Sequence, residues 1–128
     1  MKAVSINKIA TSFSYFLGEL CILPDIIRNK VDKQIEKILI KTIEDAQSKL
    51  NEVSDDIKQL TDSEAEEIYN IIIPYYNKLA QKVYKYPVPN NTELGKKFNL
   101  FFQKLTQIID EIERISDGDM FCYCLKDN

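Results

Sequence analysis

Apolar residues recur at every third or fourth position through four stretches of the chain, which is the spacing of amphipathic helices rather than strands. The four predicted helices cover residues 5–23, 25–60, 61–86 and 92–117. Each helix has an apolar stripe that must be buried against another surface, and the connections between the helices are short. We therefore predict an all-α fold, an antiparallel four-helix bundle.

Proline and capping signals set the predicted boundaries. Pro24 interrupts the first apolar pattern, and we expect a tight turn there, with a kink in one long helix as the alternative. Thr61-x-x-Glu64 has the form of a capping box and starts the third helix. Pro74 lies inside that helix and predicts a kink, because proline removes one hydrogen bond of the helical ladder.

The end of the chain is predicted to leave the bundle. Gly118 suits the position just after the fourth helix. Residues 1–118 therefore form the predicted domain, and residues 119–128 form a short tail. The tail contains two of the three cysteines, Cys122 and Cys124, and their spacing is not that of a zinc site. An odd number of cysteines favours a reducing compartment, so we expect a cytoplasmic protein.

The periodicity also predicts the face that each helix buries. The stripe of the second helix comprises Ile27, Val31, Ile35, Ile38, Thr42, Ala46, Leu50 and Val53. Ile26 and Ile40 lie on the opposite face of that helix. The third helix places Ile72, Leu79 and Val83 in the core, but its apolar arc is unusually wide. We predict that apolar residues outside these stripes contact a partner; they are Ile71, Ile73 and Leu100.

The composition removes most catalytic chemistries. The chain has 128 residues and no histidine, which excludes Ser-His-Asp and Cys-His catalysis and any histidine-ligated zinc or haem. No uninterrupted apolar run reaches the ~18 residues of a membrane-spanning helix, so we expect no such helix. These observations favour a non-enzymatic protein without a metal or another cofactor.

Charge is segregated along the chain, although the net charge is only −3. Residues 55–67 carry six acidic and one basic side chain, residues 68–105 one acidic and six basic, and residues 106–128 six acidic and two basic. If the third and fourth helices are antiparallel neighbours, like charges gather at each end. The expected basic pole comprises Lys82, Tyr84, Lys85, Tyr86, Lys96 and Lys97. The expected acidic pole comprises Glu64, Glu67, Asp110 and Glu113.

Each pole has an alternative interpretation besides that of a solvated charged surface. Lysine beside tyrosine is typical of single-stranded nucleic-acid binding, but this region has no arginine, and Tyr75 and Tyr76 are expected in the core. Carboxylates on neighbouring helices bind Mg²⁺ in phosphohydrolases, but Glu67, Asp110 and Glu113 plot outside the apolar faces.

The function that these patterns favour is protein–protein interaction. We expect a small inhibitor, an immunity protein or an adaptor that binds another protein, or a second copy of itself, through the exposed apolar face and the charged poles. A nucleic-acid-contacting subunit that uses the basic pole is the first alternative, and a carboxylate–Mg²⁺ phosphohydrolase is the second.

Overall fold

The structure, a computed structural model, is built from helices. It describes the backbone of residues 2–29 and 31–127, and the side chains of residues 6–18, 21–29 and 31–116. The helices are α1 (Lys2–Glu19), α2 (Leu23–Arg28), α3 (Lys33–Ile57), α4 (Asp62–Lys85) and α5 (Glu93–Asp127), and a 3₁₀ turn (Leu20–Ile22) joins α1 to α2. The described backbone contains no strand. The four long helices pack against each other, which confirms the predicted all-α bundle.

Contacts between helices fix their directions. Lys8, near the start of α1, places its Nζ 3.8 Å from Oδ2 of Asp56, near the end of α3. The hydroxyl of Tyr69, near the start of α4, donates to Glu113 Oε2 of α5 over 2.9 Å. Both pairs are therefore antiparallel. Lys82, near the end of α4, contacts the chain just after α1, so α1 and α4 run in the same direction.

The order of the helices around the core differs from their order along the chain. α1 packs against both α3 and α4, and α5 also packs against both of them, with α4 and α5 sharing the most extensive contact. α3 and α4 are consecutive but hardly touch along their lengths. They therefore occupy opposite corners of the bundle, and the short connection of residues 58–61 crosses between these corners.

The core is almost entirely aliphatic and phenylalanine. Phe16 of α1 packs edge-to-face on Phe13 and on Phe101 of α5, with ring centroids 5.7 and 6.0 Å apart. These rings meet across the bundle, between the corners that α1 and α5 occupy. Among the described side chains, no polar or charged residue is fully buried. Burial of apolar surface is therefore the main force that holds the helices together.

The predicted tight turn at Pro24 is wrong. The chain stays helical from α1 through the 3₁₀ turn into α2, and Pro24 lies in the first turn of α2. Proline is tolerated there because its missing N–H would have no partner in the first turn of a helix. The break comes after Arg28, where Asn29 has an extended backbone (φ −89°, ψ 158°). Asp32 then caps α3 by accepting from the amide of Ile35.

The predicted core face of the second helix is correct at Ile27, which is buried in α2, and in the second half of the stripe. α3 buries Ile43, Ala46, Leu50, Val53 and Ile57. Ile35 and Ile38, predicted in the core, are 45% and 64% exposed. Ile26 and Ile40, predicted on the opposite face, pack partly buried against the core.

The start of α5 lies beside the first part of α3. Lys97 of α5 contacts Glu44 of α3 over 2.9 Å. Thr92 and Leu94, at the start of α5, line one depression with Val31 and Glu36. No residue between 33 and 42 is fully buried, but Leu39 and Ile40 pack partly buried against the core, whereas Ile35 and Ile38 are exposed.

α4 starts as predicted. Thr61 Oγ1 accepts from the amide of Glu64, and the Glu64 carboxylate accepts from the amide of Thr61, so both halves of the capping box are present. The helix runs through Pro74 to Lys85 without a break. Ile72, Leu79 and Val83 are buried, as predicted.

The predicted end of the last helix at Gly118 is wrong, because the backbone of α5 is helical to Asp127. A glycine costs a helix interior only about 1 kcal/mol relative to alanine, so it favours a helix end without imposing one. The side chains of Cys122 and Cys124 lie outside the described residues. A second glycine, Gly95, is required by packing: a Cβ there would come 1.9 Å from the carbonyl oxygen of Pro89.

One segment, Ile6–Arg28, is long and apolar enough to cross a membrane, contrary to our expectation from the sequence. In the bundle, this segment buries Ile9, Phe13, Phe16 and Leu17 in the core. A core helix of a water-soluble protein and an N-terminal signal sequence meet the same length and composition criterion, so the segment is weak evidence for a membrane.

Candidate functional site

A cluster of positive charge lies where α2 and α4 end side by side. An open groove of about 400 Å³ is lined there by Asp25, Arg28, Lys78, Gln81, Lys82, Lys85 and Tyr86. Four cationic side chains thus face a single carboxylate in this groove. We call this surface the α2–α4 groove. Its charge would attract an anionic ligand.

Arg28 is the residue of this groove that the sequence prediction missed. Its Nη1 donates to the carbonyl oxygen of Tyr86 over 2.9 Å, and its guanidinium also pairs with Asp25. The guanidinium carbon lies 5.1 Å from the centroid of the Tyr86 ring, and Lys85 Nζ lies 5.5 Å from the same centroid. Arg28 is 58 residues away from Tyr86 in sequence, so only the parallel packing of α1 and α4 reveals the contact.

Two lysines of the predicted basic pole connect helices. Lys82 Nζ lies 3.3 Å from the carbonyl oxygen of Cys21 and 3.4 Å from Asp25 Oδ2. Lys97 Nζ lies 2.9 Å from Glu44 Oε2, and the hydrogen bond to Glu44 raises the pKa of Lys97. Each of these lysines therefore has a structural contact that the sequence pattern did not predict.

The remaining residues of the predicted basic pole are exposed but fall into separate places. Lys85 and Tyr86 line the α2–α4 groove. Lys96 lines a different depression with Asn90, Asn99, Leu100 and Gln103. Tyr84 is exposed, and its ring packs edge-to-face on Phe102 with centroids 6.1 Å apart. The six predicted residues thus do not form one continuous site.

The two adjacent tyrosines of α4 have different environments. Tyr75, expected in the core, is 54% exposed. Tyr76 stacks on Phe102 with centroids 6.0 Å apart, and its hydroxyl lies 2.8 Å from Oγ1 of Thr106. Burial raises the pKa of Tyr76, and the hydrogen bond to Thr106 partly opposes this shift. Tyr76 therefore stabilises the α4–α5 contact.

The predicted acidic pole takes residues from α4 and α5, and among them Glu113 contacts the neighbouring helix. Tyr69 of α4 holds Glu113 of α5, which places the predicted acidic stretches of the two helices side by side. Glu64 is engaged in the capping box, whereas Glu67 and Asp110 are exposed. In the described part of the chain, no three metal-ligating side chains come together. This geometry gives no support to the carboxylate–Mg²⁺ alternative.

The predicted apolar contact residues are also distributed over the surface. Ile71 on α4 is 42% exposed, and Leu100 on α5 is exposed beside a groove of about 270 Å³ between α3 and α5. Ile73 packs partly buried against the core, so little of it remains for a partner. Ile71 and Leu100 lie on different helices and are not joined in one described groove.

A larger apolar surface lies at the start of α3. Val31, Ile35, Ile38 and Thr42 follow one another at spacings of four, three and four residues. Val31 precedes the cap of α3, and Ile35, Ile38 and Thr42 lie on the helix at the seam spacing of helices that pair with another helix. Val31 and Thr42 are half-buried, and Ile35 and Ile38 are exposed. The exposed charged side chains between residues 33 and 42 are Lys33, Lys37 and Lys41, while Glu36 is half-buried beside Thr92. We call these four seam residues the α3 seam.

Comparison with protein-family models, curated proteins and solved structures finds no match to this chain. The function therefore has to be argued from the surfaces described above. Of these, the α3 seam combines the largest exposure of aliphatic side chains with a regular helical spacing.

Proposed function

We propose that this protein is a non-enzymatic interaction module that binds an acidic amphipathic helix of a partner protein on the α3 seam. The observation that carries the proposal is the exposure of Ile35 and Ile38 in a segment whose spacing is that of a buried helix stripe. Single exposed apolar residues are ordinary in proteins, whereas a regular row of them on one helix is not.

The spacing of the α3 seam favours a helix as the bound element. Side chains at intervals of four and three residues line one side of a helix, and a second helix buries them by the same spacing. Ile35 and Ile38 are exposed, so a partner helix can reach both side chains. Burial of Ile35 and Ile38 supplies the hydrophobic part of the binding energy.

Charge favours an acidic partner. Lys37 and Lys41 are the exposed charged residues nearest to Ile38 along the helix, while the exposed Asp32 and Asp45 lie beyond either end of the Ile35–Ile38 pair. A partner helix whose apolar stripe is bordered by glutamate or aspartate therefore gains charge complementarity, which raises its association rate and selects it over a basic helix. The stem of each lysine can also cover apolar surface of the partner while its ammonium group stays in water.

A pair of synthetic peptides tests this proposal. Both peptides contain about three heptads with leucine at the seam positions, and the flanking residues are glutamate in one and lysine in the other. We expect the glutamate peptide to bind the protein, measured by fluorescence anisotropy, at least roughly tenfold more tightly than the lysine peptide at low salt.

The variant Ile35→Ser/Ile38→Ser locates the binding site. We expect it to lose at least roughly tenfold in affinity for the glutamate peptide, while its circular dichroism spectrum stays that of the wild type because both side chains are exposed. Ile71→Ser is the matched control, since Ile71 is 42% exposed on α4, at the opposite corner of the bundle from α3. Equal loss in both variants, or a preference for the lysine peptide, contradicts the proposal.

A second candidate function, binding of single-stranded nucleic acid in the α2–α4 groove, is favoured by Arg28. The sequence offered no arginine near the lysines and tyrosines of the basic pole, but the fold brings Arg28 to within 5.1 Å of the Tyr86 ring. Arginine contacts phosphate through two parallel hydrogen bonds, and a tyrosine ring offers a base a stacking surface.

A salt titration with a single-stranded oligonucleotide decides this second candidate. Lys78→Glu/Lys85→Glu changes two exposed groove residues. If both lysines neutralise phosphates, the variant lowers the slope of log affinity against log salt by about 1.4. Absence of binding by the wild type at low salt removes this candidate.

A further inference from the structure

The outward face of α4 carries a second surface, which is separate from the α3 seam, although its last residue, Lys78, also lines the α2–α4 groove. Glu67, Ile71, Pro74 and Lys78 follow one another at spacings of four, three and four residues. All four are exposed, so this row points away from α1 and α5. We call it the α4 stripe. It reads acidic, apolar, apolar, basic along the helix.

We propose that two copies of this protein associate through the α4 stripe, with the two α4 helices antiparallel about a two-fold axis. In such a pairing, centred between Ile71 and Pro74, each Ile71 lies against Pro74 of the other copy. Each Glu67 then faces Lys78 of the other copy. The same two contacts occur twice, as a two-fold interface requires.

The order of charges on α4 favours a second copy of the same chain as the partner. A row that begins acidic and ends basic is complementary to itself when one copy is reversed, and the two apolar residues then meet in the middle. Glu67 and Lys78 are separated by 11 positions, or about 16 Å along the helix, so a single antiparallel contact spans both pairs. Tyr75 borders the α4 stripe and is 54% exposed, which adds apolar area to the contact.

The helix dipole does not account for this pattern. The dipole favours acidic residues in the first turn and basic residues in the last turn, and its effect falls off within those turns. Asp62 and Glu64 occupy the first turn of α4, and Lys82 and Lys85 the last. Glu67 and Lys78 lie further inside, and the exposed Ile71 between them has no role in a dipole interaction.

The contact is small, because one helix of each copy contributes most of it. Interfaces below about 1,200 Å² of buried surface are weak and transient. We therefore expect a dimer that forms at tens to hundreds of micromolar protein, which sedimentation velocity over a concentration series detects.

Charge reversal tests the pairing directly. Glu67→Lys alone sets two lysines against each other at both ends of the contact, and Lys78→Glu alone sets two glutamates against each other. We expect each single variant to raise the dimer dissociation constant about tenfold or more, since two attractive pairs become repulsive. The double variant Glu67→Lys/Lys78→Glu restores opposite charges, and we expect its dimer to return to within about threefold of the wild type.

Two controls separate this pairing from other causes. Glu52→Lys/Lys96→Glu makes the same charge changes at exposed positions of α3 and α5, and we expect no change in association. Ile71→Ser, which keeps all charges, should weaken the dimer, and it replaces the charge variants if either of them fails to fold. A protein that stays monomeric up to about 0.5 mM, a double variant that does not recover, or a dimer that only Ile35→Ser/Ile38→Ser dissolves would overturn the inference.

Discussion

Gly95 shows how one residue fixes the entry to a helix. A Cβ at this position would lie 1.9 Å from the carbonyl oxygen and 3.1 Å from the carbonyl carbon of Pro89. These atoms belong to the backbone and cannot rotate away, so the connection between α4 and α5 has to move. We expect Gly95→Ala to lower the free energy of unfolding by about 2 kcal/mol, measured by urea denaturation.

Gly18 is the matched control for Gly95. It lies in α1 with nothing within 4 Å of the position of an added Cβ. Alanine is the better helix former by roughly 0.5–1 kcal/mol, so Gly18→Ala should raise the free energy of unfolding. A destabilisation by Gly18→Ala as large as that by Gly95→Ala would contradict our account of the Pro89 contact.

Tyr76 is the second residue whose environment makes a measurable prediction. Burial raises its pKa above the ordinary value of 10.0. The folded protein therefore holds the phenolic proton more tightly than the unfolded chain, and this contribution to stability is complete below about pH 10 and lost as the pH rises through the folded pKa. Tyr76→Phe should remove this part of the alkaline loss of stability, and ultraviolet titration should show one fewer high-pKa tyrosine. An unchanged titration curve would contradict the assignment.

From the sequence, contacts between residues close together in the chain could be predicted. The capping box of Thr61 and Glu64 depends on residues three positions apart, and it is present as expected. Arg28 could not be found in the same way, because its contact with Tyr86 depends on how α2 and α4 pack. Tyr75 was placed in the core because aromatic residues usually are, but it lies on the outer side of α4.

Among the helices, α4 offers the sharpest test of a predicted core face. Ile71 and Ile72 are chemically identical neighbours, yet Ile71 is 42% exposed and Ile72 is 1% exposed. Ile72→Ala should lower the free energy of unfolding by about 2–5 kcal/mol, since it leaves a cavity in the core. Ile71→Ala should cost less than about 1 kcal/mol in a monomeric sample. Equal effects of the two variants in thermal melts would show that the face of α4 is misassigned.

α3 shows where apolar periodicity fails to predict burial. The pattern from Ile27 to Val53 reads as one continuous stripe, because spacings of three and four residues persist through it. The chain breaks after Arg28, however, and α3 takes its core residues from Ile43 onward. Periodicity identifies an apolar side of a helix, but it cannot say how much of that side the neighbouring helices cover. The exposed part, the α3 seam, is for this reason the candidate site.

At the scale of the whole molecule, charged residues both connect helices and offer binding surfaces. Lys82 connects the end of α4 to Cys21 and Asp25, whereas Lys85, one turn later, lines the α2–α4 groove without such a connection to another helix among the described contacts. We expect Lys82→Glu to lower the free energy of unfolding by about 1 kcal/mol, because it sets a carboxylate against Asp25. Lys85→Glu should leave the melting temperature nearly unchanged in the same calorimetric scan, and the reverse order would contradict these contacts.

The number and type of the helices could be predicted from the sequence, but their arrangement could not. Capping signals and periodicity define where helices form, whereas the corners that they occupy depend on contacts such as those of Phe16 with Phe101. α4 and α5 are neighbours, as predicted, and Tyr69 of α4 contacts Glu113 of α5. The residues of the predicted basic pole lie on separate surfaces. Lys97 pairs with Glu44 of α3, and Lys96 lines a different depression from Lys85.

The central claim is that the start of α3 is the binding surface of this protein. The most direct measurement is a nuclear magnetic resonance titration of the ¹⁵N-labelled protein with the glutamate-flanked peptide, following the amide shifts of every assigned residue. We predict that the largest shifts fall between residues 31 and 42, around Ile35 and Ile38. Shifts confined to the α2–α4 groove or to the α4 stripe, or no shifts at millimolar peptide, would contradict the claim.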